Sequence, residues 1–204
     1  GKLSGRLVSF VDSSLAQDIQ LHDITGFILA KTATEIYLDH DGELSHKKDS
    51  RLASLNSIRK LLEHNQTICG QAMELLVENL SAIDTSVLTN TLKVFTLISK
   101  QNGYLSDNAI YTASKLVTTE EKVVKQAAID FLANVCGNSK YDYSSIVDRD
   151  LGSSLLEEVL NNNKPAAVLL KAILTTEDMG IVELCLECLG EDRYSEIEKI
   201  LTGD

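Results

Sequence analysis

Tryptophan is absent from this chain of 204 residues, proline occurs once, at Pro165, and Phe and Tyr make up the 5% that is aromatic. Sheet-rich folds draw on aromatic and β-branched strand residues and on frequent Gly/Pro turns. Aromatics and proline are in short supply, so the composition points to helices. Long hydrophobic runs are missing as well. No stretch approaches the roughly 18 apolar residues of a membrane-spanning helix, and no signal peptide is visible. Nor is there any basic excess. Thirty acidic side chains face 19 basic ones, for a formal net charge of −11. A phosphate backbone needs a basic surface, so no nucleic-acid partner is expected.

Catalytic patterns are equally scarce. No glycine-rich phosphate loop follows a strand, and neither a Gly-x-Ser-x-Gly elbow nor a His-Glu-x-x-His zinc pattern occurs. The four histidines, His22, His40, His46 and His64, all lie in the first third, and His22 and His64 read as surface or half-buried residues. Cys185 and Cys188 have redox or zinc spacing, but no second such pair exists to complete a zinc ribbon. They share a helical stripe with Ile181, Leu184 and Leu189, so both thiols are expected in the core. Cys69 falls on a similar stripe with Ala72, Met73, Leu76 and Leu80. Unpaired buried cysteines fit a reducing, cytoplasmic setting. The polar stretch 39–48 reads as a solvated loop. In a calcium-loop register its first ligand would be Tyr37. The expectation is therefore no enzyme, no cofactor and no metal.

What the chain does contain is organised around residues 118–160, TTEEKVVKQAAIDFLANVCGNSKYDYSSIVDRDLGSSLLEEVL. Val124, Ala128, Phe131, Leu132 and Val135 recur on one face of a 3.6-residue helix. Thr118 or Thr119 is suited to cap its start, with Glu120 and Glu121 near the positive end. Gly137-Asn138 is suited to end it in the left-handed conformation. A single amphipathic helix cannot bury its own stripe, so neighbours are needed.

The segments QAAIDFLANVCGN (126–138) and SSIVDRDLGSSLLEEVL (144–160) resemble the armadillo repeat and its HEAT relatives. The resemblance implies an all-α, right-handed α-solenoid of irregular helical repeats that binds other proteins. It places Asn134 where peptide-binding armadillo proteins carry an Asn that bonds a peptide backbone. Where those proteins place a Trp four residues earlier, this chain has Asp130, so nuclear-signal-type recognition is not carried over. Read on its own, Asn134 is a polar residue near a helix C-terminus.

Along the chain, residues 1–12 read as a frayed start. Residues 13–38 read as a helix with a possible break at Gly26. Helices are expected over 50–65, 66–80, 84–100 and 106–117, then over the organising stretch, then from Pro165, a residue tolerated in a first turn, and over 176–189 and 194–201. Repetition supports stacked units. Residues 116–121 recur at 173–178, an offset of 57, and Val87, Leu88 and Phe95 pair with Val123, Val124 and Phe131, an offset of 36. The chain thus reads as one repeat domain over 1–204, less regular over 1–48 and repetitive over 49–204. It opens on Gly-Lys, which suggests a piece of a longer protein.

Charge adds a partner. Residues 1–60 balance eight acids with eight bases, whereas residues 177–204 hold nine acids and two bases. Such an end either keeps a helical array solvated or steers a basic protein segment. Glu183, Glu187 and Glu191, at i, i+4 and i+8, share a helix face. With Asp130 and Asn134 they are the candidate partner-binding residues. The leading function is a non-catalytic interaction scaffold. The alternative is a regulatory docking domain of a larger multidomain enzyme.

Overall fold

The computed structural model describes residues 2–34, 48–82, 84–101, 105–138, 143–176, 178–190 and 193–202. These contain eleven α-helices, two 3-10 turns and no strand. No described helix is long and apolar enough to cross a membrane. The chain divides into two compact units, residues 1–109 and 110–204.

Unit 1 comprises α1 (Lys2–Ala16), α2 (Asp23–Thr34), α3 (Lys48–Glu63), α4 (Gly70–Val77) with a 3-10 turn (Glu78–Ser81), and α5 (Thr85–Lys100). Two sequence expectations are corrected here. Residues 1–12 are not a frayed start, because α1 begins at Lys2. Residues 13–38 are not one helix. Asp18 takes the left-handed conformation (φ 56°), and the Ile19 N–H returns to the Ser14 carbonyl at 2.9 Å, a Schellman closure. The same device ends α3 at Asn65 (φ 56°). Asp and Asn enter this region more readily than other side chains.

Gly26 does not break α2. A Cβ there would lie 2.9 Å from Ile68 Cγ2, so the glycine admits the segment that leads into α4. That segment delays the helix expected from residue 66 until Gly70. Cys69 is consequently the N-cap and only partly buried, while Ala72, Met73, Leu76 and Leu80 go inside as the stripe requires. Helix α1 packs on α3, α2 on α3 and α4, and α3 on α5. Leu29, Leu55, Ile58, Leu62, Leu92 and Phe95 form the apolar centre.

Polar groups are threaded through this interior. Buried Gln66 donates to the Ile19 carbonyl and accepts from the Leu21 N–H, both at 3.1 Å. It thereby fastens the α1–α2 turn. Arg51 donates to the Ala33 carbonyl at 2.8 Å and to Asn79 Oδ1 at 2.7 Å. Burial lowers the Arg51 pKa, opposed by Asp84. Ser54, Ser57 and Thr89 hydroxyls are buried with no hydrogen-bond partner among the described residues.

The division between units falls within α6 (Asp107–Leu116). Unit 2 continues with α7 (Lys122–Asn138), a 3-10 turn (Tyr143–Ser145), α8 (Arg149–Leu160), α9 (Lys164–Leu174), α10 (Met179–Leu189) and α11 (Tyr194–Thr202). The organising helix lies where expected, and Val124, Ala128, Phe131, Leu132 and Val135 are all buried. Gly137 and Asn138, expected to end it in a left-handed turn, instead remain in its last helical turn. Thr119 accepts from the Glu121 N–H at 3.5 Å, just ahead of the helix. Pro165 occupies the first turn of α9, whose N-cap Asn163 accepts from the Ala166 N–H. Helix α7 packs on α9, α8 on α9 and α10, and α9 also on α10 and α11.

Candidate functional site

A surface groove begins at the start of α8. Asp148 caps this helix, accepting the Leu151 N–H at 2.8 Å, and also takes the Lys115 ammonium. Burial pushes the Asp148 carboxyl up, but the Lys115 hydrogen bond, the backbone N–H groups and the Lys115 charge outweigh it, and the pKa is lowered. The same hydrogen bond raises Lys115. This anchor fixes where α8 starts.

From that start, Arg149, Ser153, Leu156, Glu157 and Leu160 follow at i, i+4, i+7, i+8 and i+11, one face of a helix. They form one wall of an open groove of about 580 Å³. Glu187, Leu189, Gly190 and Arg193 form the other wall. Leu156 and Leu189 are buried at its floor, and Leu160 is 51% exposed. Arg149, Ser153, Glu157, Glu187 and Arg193 are exposed. The groove surface is mostly polar and charged, with Leu160 as its exposed apolar side chain.

Of the residues singled out from sequence, Glu187 lines this groove, and Glu183, one turn earlier on α10, is exposed. Glu191 lies outside the described residues, as do the polar stretch 39–47 and the side chains of Ile181, Leu184, Cys185 and Cys188. Asn134 and Asp130 are not in the groove. The Asn134 amide donates back to the Asp130 carbonyl of its own helix at 2.7 Å. The Asp130 carboxylate accepts from Gln126 at 2.8 Å, and Gln126 in turn accepts from Asn163, which also donates to Glu158. Lys125 faces Glu158 at 3.6 Å. The chain of groups ties α7 to the loop that starts α9.

Arg149, Ser153, Glu157, Leu160 and Arg193 were not among the sequence candidates. Their signal was present in the helical spacing of the first four. Only the packing of α10 against α8 turns that face into one wall of a groove.

The described residues contain no group of three His, Cys, Asp or Glu side chains able to hold a metal ion. The Cys136 thiol is pushed up to about 11 by burial, with the Tyr143 hydrogen bond acting the other way. Tyr143 is raised in turn by burial and by Cys136.

No family model matches the chain, and no curated protein matches it. Among solved structures it is similar to the crystal structure of an engineered protein, a structural genomics target. The identity is 17% and the TM-score 0.47, over 98% of this chain and 97% of that one.

Proposed function

We propose that this chain is a non-catalytic protein-interaction module, an irregular right-handed α-solenoid of armadillo/HEAT-like character, and that it binds a protein segment in the α8–α10 groove. The groove carries this reading: a buried Leu156–Leu189 floor and exposed Leu160 lie between charged edges, with Glu187 on one wall. The helix order supports the repeat assignment. Within each unit, helices pack on the helix two places on: α1 on α3, α2 on α4 and α3 on α5, then α7 on α9, α8 on α10 and α9 on α11. Stacked helical hairpins have this pattern. Exposed Glu157, Glu183 and Glu187 give a basic segment something to approach. The setting we propose is cytoplasmic and reducing.

The test is a photo-crosslinking amino acid at Ser153, used in a reducing lysate. The expected result is adducts to a defined segment of another protein that a control position, Lys171, does not give. Equal labelling at both positions would overturn the groove assignment. Reversing Glu183 and Glu187 to Lys should slow association and weaken its salt dependence, because exposed charges act mainly on association rate.

A second reading, a regulatory docking domain of a larger multidomain enzyme, is favoured by one observation. Phe10, Ile24 and Ile28 of unit 1 are 55%, 57% and 40% exposed, and Ile24 and Ile28 share one face of α2. Crosslinks from Ile24 to a flanking domain, with none from Ser153, would select that reading.

A further inference from the structure

The α8–α10 groove carries both signs of charge, although the unit around it is strongly acidic. Unit 2 has two arginines, Arg149 and Arg193, and both line the groove. Among the described residues neither makes an ion pair, nor do Lys122, Lys164, Lys171 and Lys199, whereas Lys115 and Lys125 are paired with Asp148 and Glu158. On α8, Arg149 and Glu157 stand eight residues apart on one face, roughly 12 Å at the helical rise of 1.5 Å per residue. Leu156 lies buried between them. The second wall repeats both signs with Glu187 and Arg193.

Resting on the groove assignment above, we infer that the partner segment is of mixed charge rather than purely basic. It presents an apolar anchor to exposed Leu160, a carboxylate to Arg149 and a basic side chain to Glu157. The physical reason is the arrangement at α8. A wholly basic segment along the groove would satisfy Glu157 and place like charge on Arg149, which is unfavourable. A carboxylate at that end instead finds a planar guanidinium with donors to spare, suited to bidentate hydrogen bonding. In a helical ligand, complementary charges fall at i and i+8. The acidic residues outside the groove then act at long range on the ligand's basic end, and the arginines select within it.

Three fluorescently labelled helical peptides test this on the full chain. They share a leucine anchor and differ at the two charged positions: glutamate with lysine, two lysines, or two glutamates. By fluorescence anisotropy the mixed peptide should bind about tenfold tighter than either uniform one, as close complementary charge pairs allow. Arg149→Glu should transfer the preference to the two-lysine peptide, and Glu157→Lys to the two-glutamate peptide, each with the circular dichroism of the parent. Should Arg149→Glu perturb the helix it begins, Arg149→Ala serves, and should abolish the advantage of the mixed peptide over the two-lysine one. If the two-lysine peptide binds the unaltered chain as tightly as the mixed one, or the preference ignores both substitutions, the inference is overturned. Ser153 crosslinking together with two-lysine preference would leave the binding groove standing and remove the mixed-charge selection alone.

Discussion

The two units are built from the same kind of helix but keep their polar groups in different places. Among the described residues, unit 1 buries Ser14, Thr25, Thr34, Ser54, Ser57, Gln66, Asn79, Thr89, Thr91, Ser99 and Ser106. Unit 2 buries Ser114 and, with its hydroxyl, Tyr143. Unit 1 is also joined by hydrogen bonds between distant segments, Gln66 to Ile19 and Leu21, Arg51 to Ala33, and Gln101 to Leu62. Unit 2 sets its comparable network, Gln126–Asn163–Glu158, nearer the surface. It carries 17 acidic and 9 basic residues, against 13 and 10 in unit 1. Buried polar groups specify a packing where they are met, as those of Gln66 and Arg51 are, while the Ser54, Ser57 and Thr89 hydroxyls have no partner among the described residues. Exposed ones remain available to a partner. Unit 1 is therefore the more specified interior, and unit 2 the one that offers charge outward.

The largest expected effect tests what the units share. Phe95 and Phe131 are both fully buried, so Phe95→Ala and Phe131→Ala should each cost about 3–5 kcal/mol. Hydrogen exchange should show each loss concentrated in its own unit. A loss below about 1 kcal/mol at either site would mean that its ring is not a core element.

A smaller effect should separate the units. Gln66→Ala leaves the Ile19 carbonyl and Leu21 N–H without that partner inside unit 1, for a cost of about 2–3 kcal/mol. Gln126→Ala, which breaks the exposed network of unit 2, should cost under about 0.5 kcal/mol. Equal losses in chemical denaturation would erase the distinction.

Acid should act on both units. Asp84 is held below the usual carboxylate range chiefly by the Lys48 hydrogen bond, and Asp148 is lowered as described above. A carboxyl with a folded pKa below its unfolded one stabilises above the unfolded value and ceases to do so as the pH falls through the folded one. Both contributions should be intact at neutral pH and fade below about pH 4. Asp148→Ala should cost about 1 kcal/mol at pH 7, the usual worth of an N-cap. It should also flatten the acid-induced loss. An unchanged acid profile would show that the cap does not bear on stability.

The smallest effect has the opposite sign. Asn65 holds a left-handed conformation at the end of α3, where glycine has no Cβ penalty. Asn65→Gly should stabilise unit 1 by about 0.5 kcal/mol, and Asn162→Gly should do the same for unit 2 at the end of α8, where φ is 64°. A melting temperature that falls in both variants would mean that the asparagine side chains stabilise these turns.

Helix type and placement were legible because they follow from local periodicity. The organising stripe from Val124 to Val135 is buried as read, and Phe95 and Phe131, paired at an offset of 36, are both core residues. Ends were less legible. The α1–α2 break depends on Asp18 accepting a left-handed turn, and an aspartate in an apolar-periodic stretch does not announce that. Gly26 reads as a breaker until Ile68, forty-two residues on, is found against it. Register also misled. Val87 is buried but its repeat counterpart Val123 is 62% exposed, because repetition in sequence does not ensure an equivalent neighbour.

The candidate site divides the same way. The charge of α10, the helical face that Glu183 and Glu187 share, and the spacing of Arg149, Ser153, Glu157 and Leu160 are properties of composition and of a 3.6-residue turn. They need nothing beyond the chain. That α10 lies beside α8, so that Leu189 and Leu156 meet under charged edges and both arginines of unit 2 reach one groove, follows from packing between segments some thirty residues apart. Asn134 shows the converse. The armadillo resemblance marked it as a candidate partner contact, and in the fold its amide donates to the carbonyl one turn back. Which polar groups remain turned outward is decided by the hydrogen bonds and burial that only the folded chain establishes.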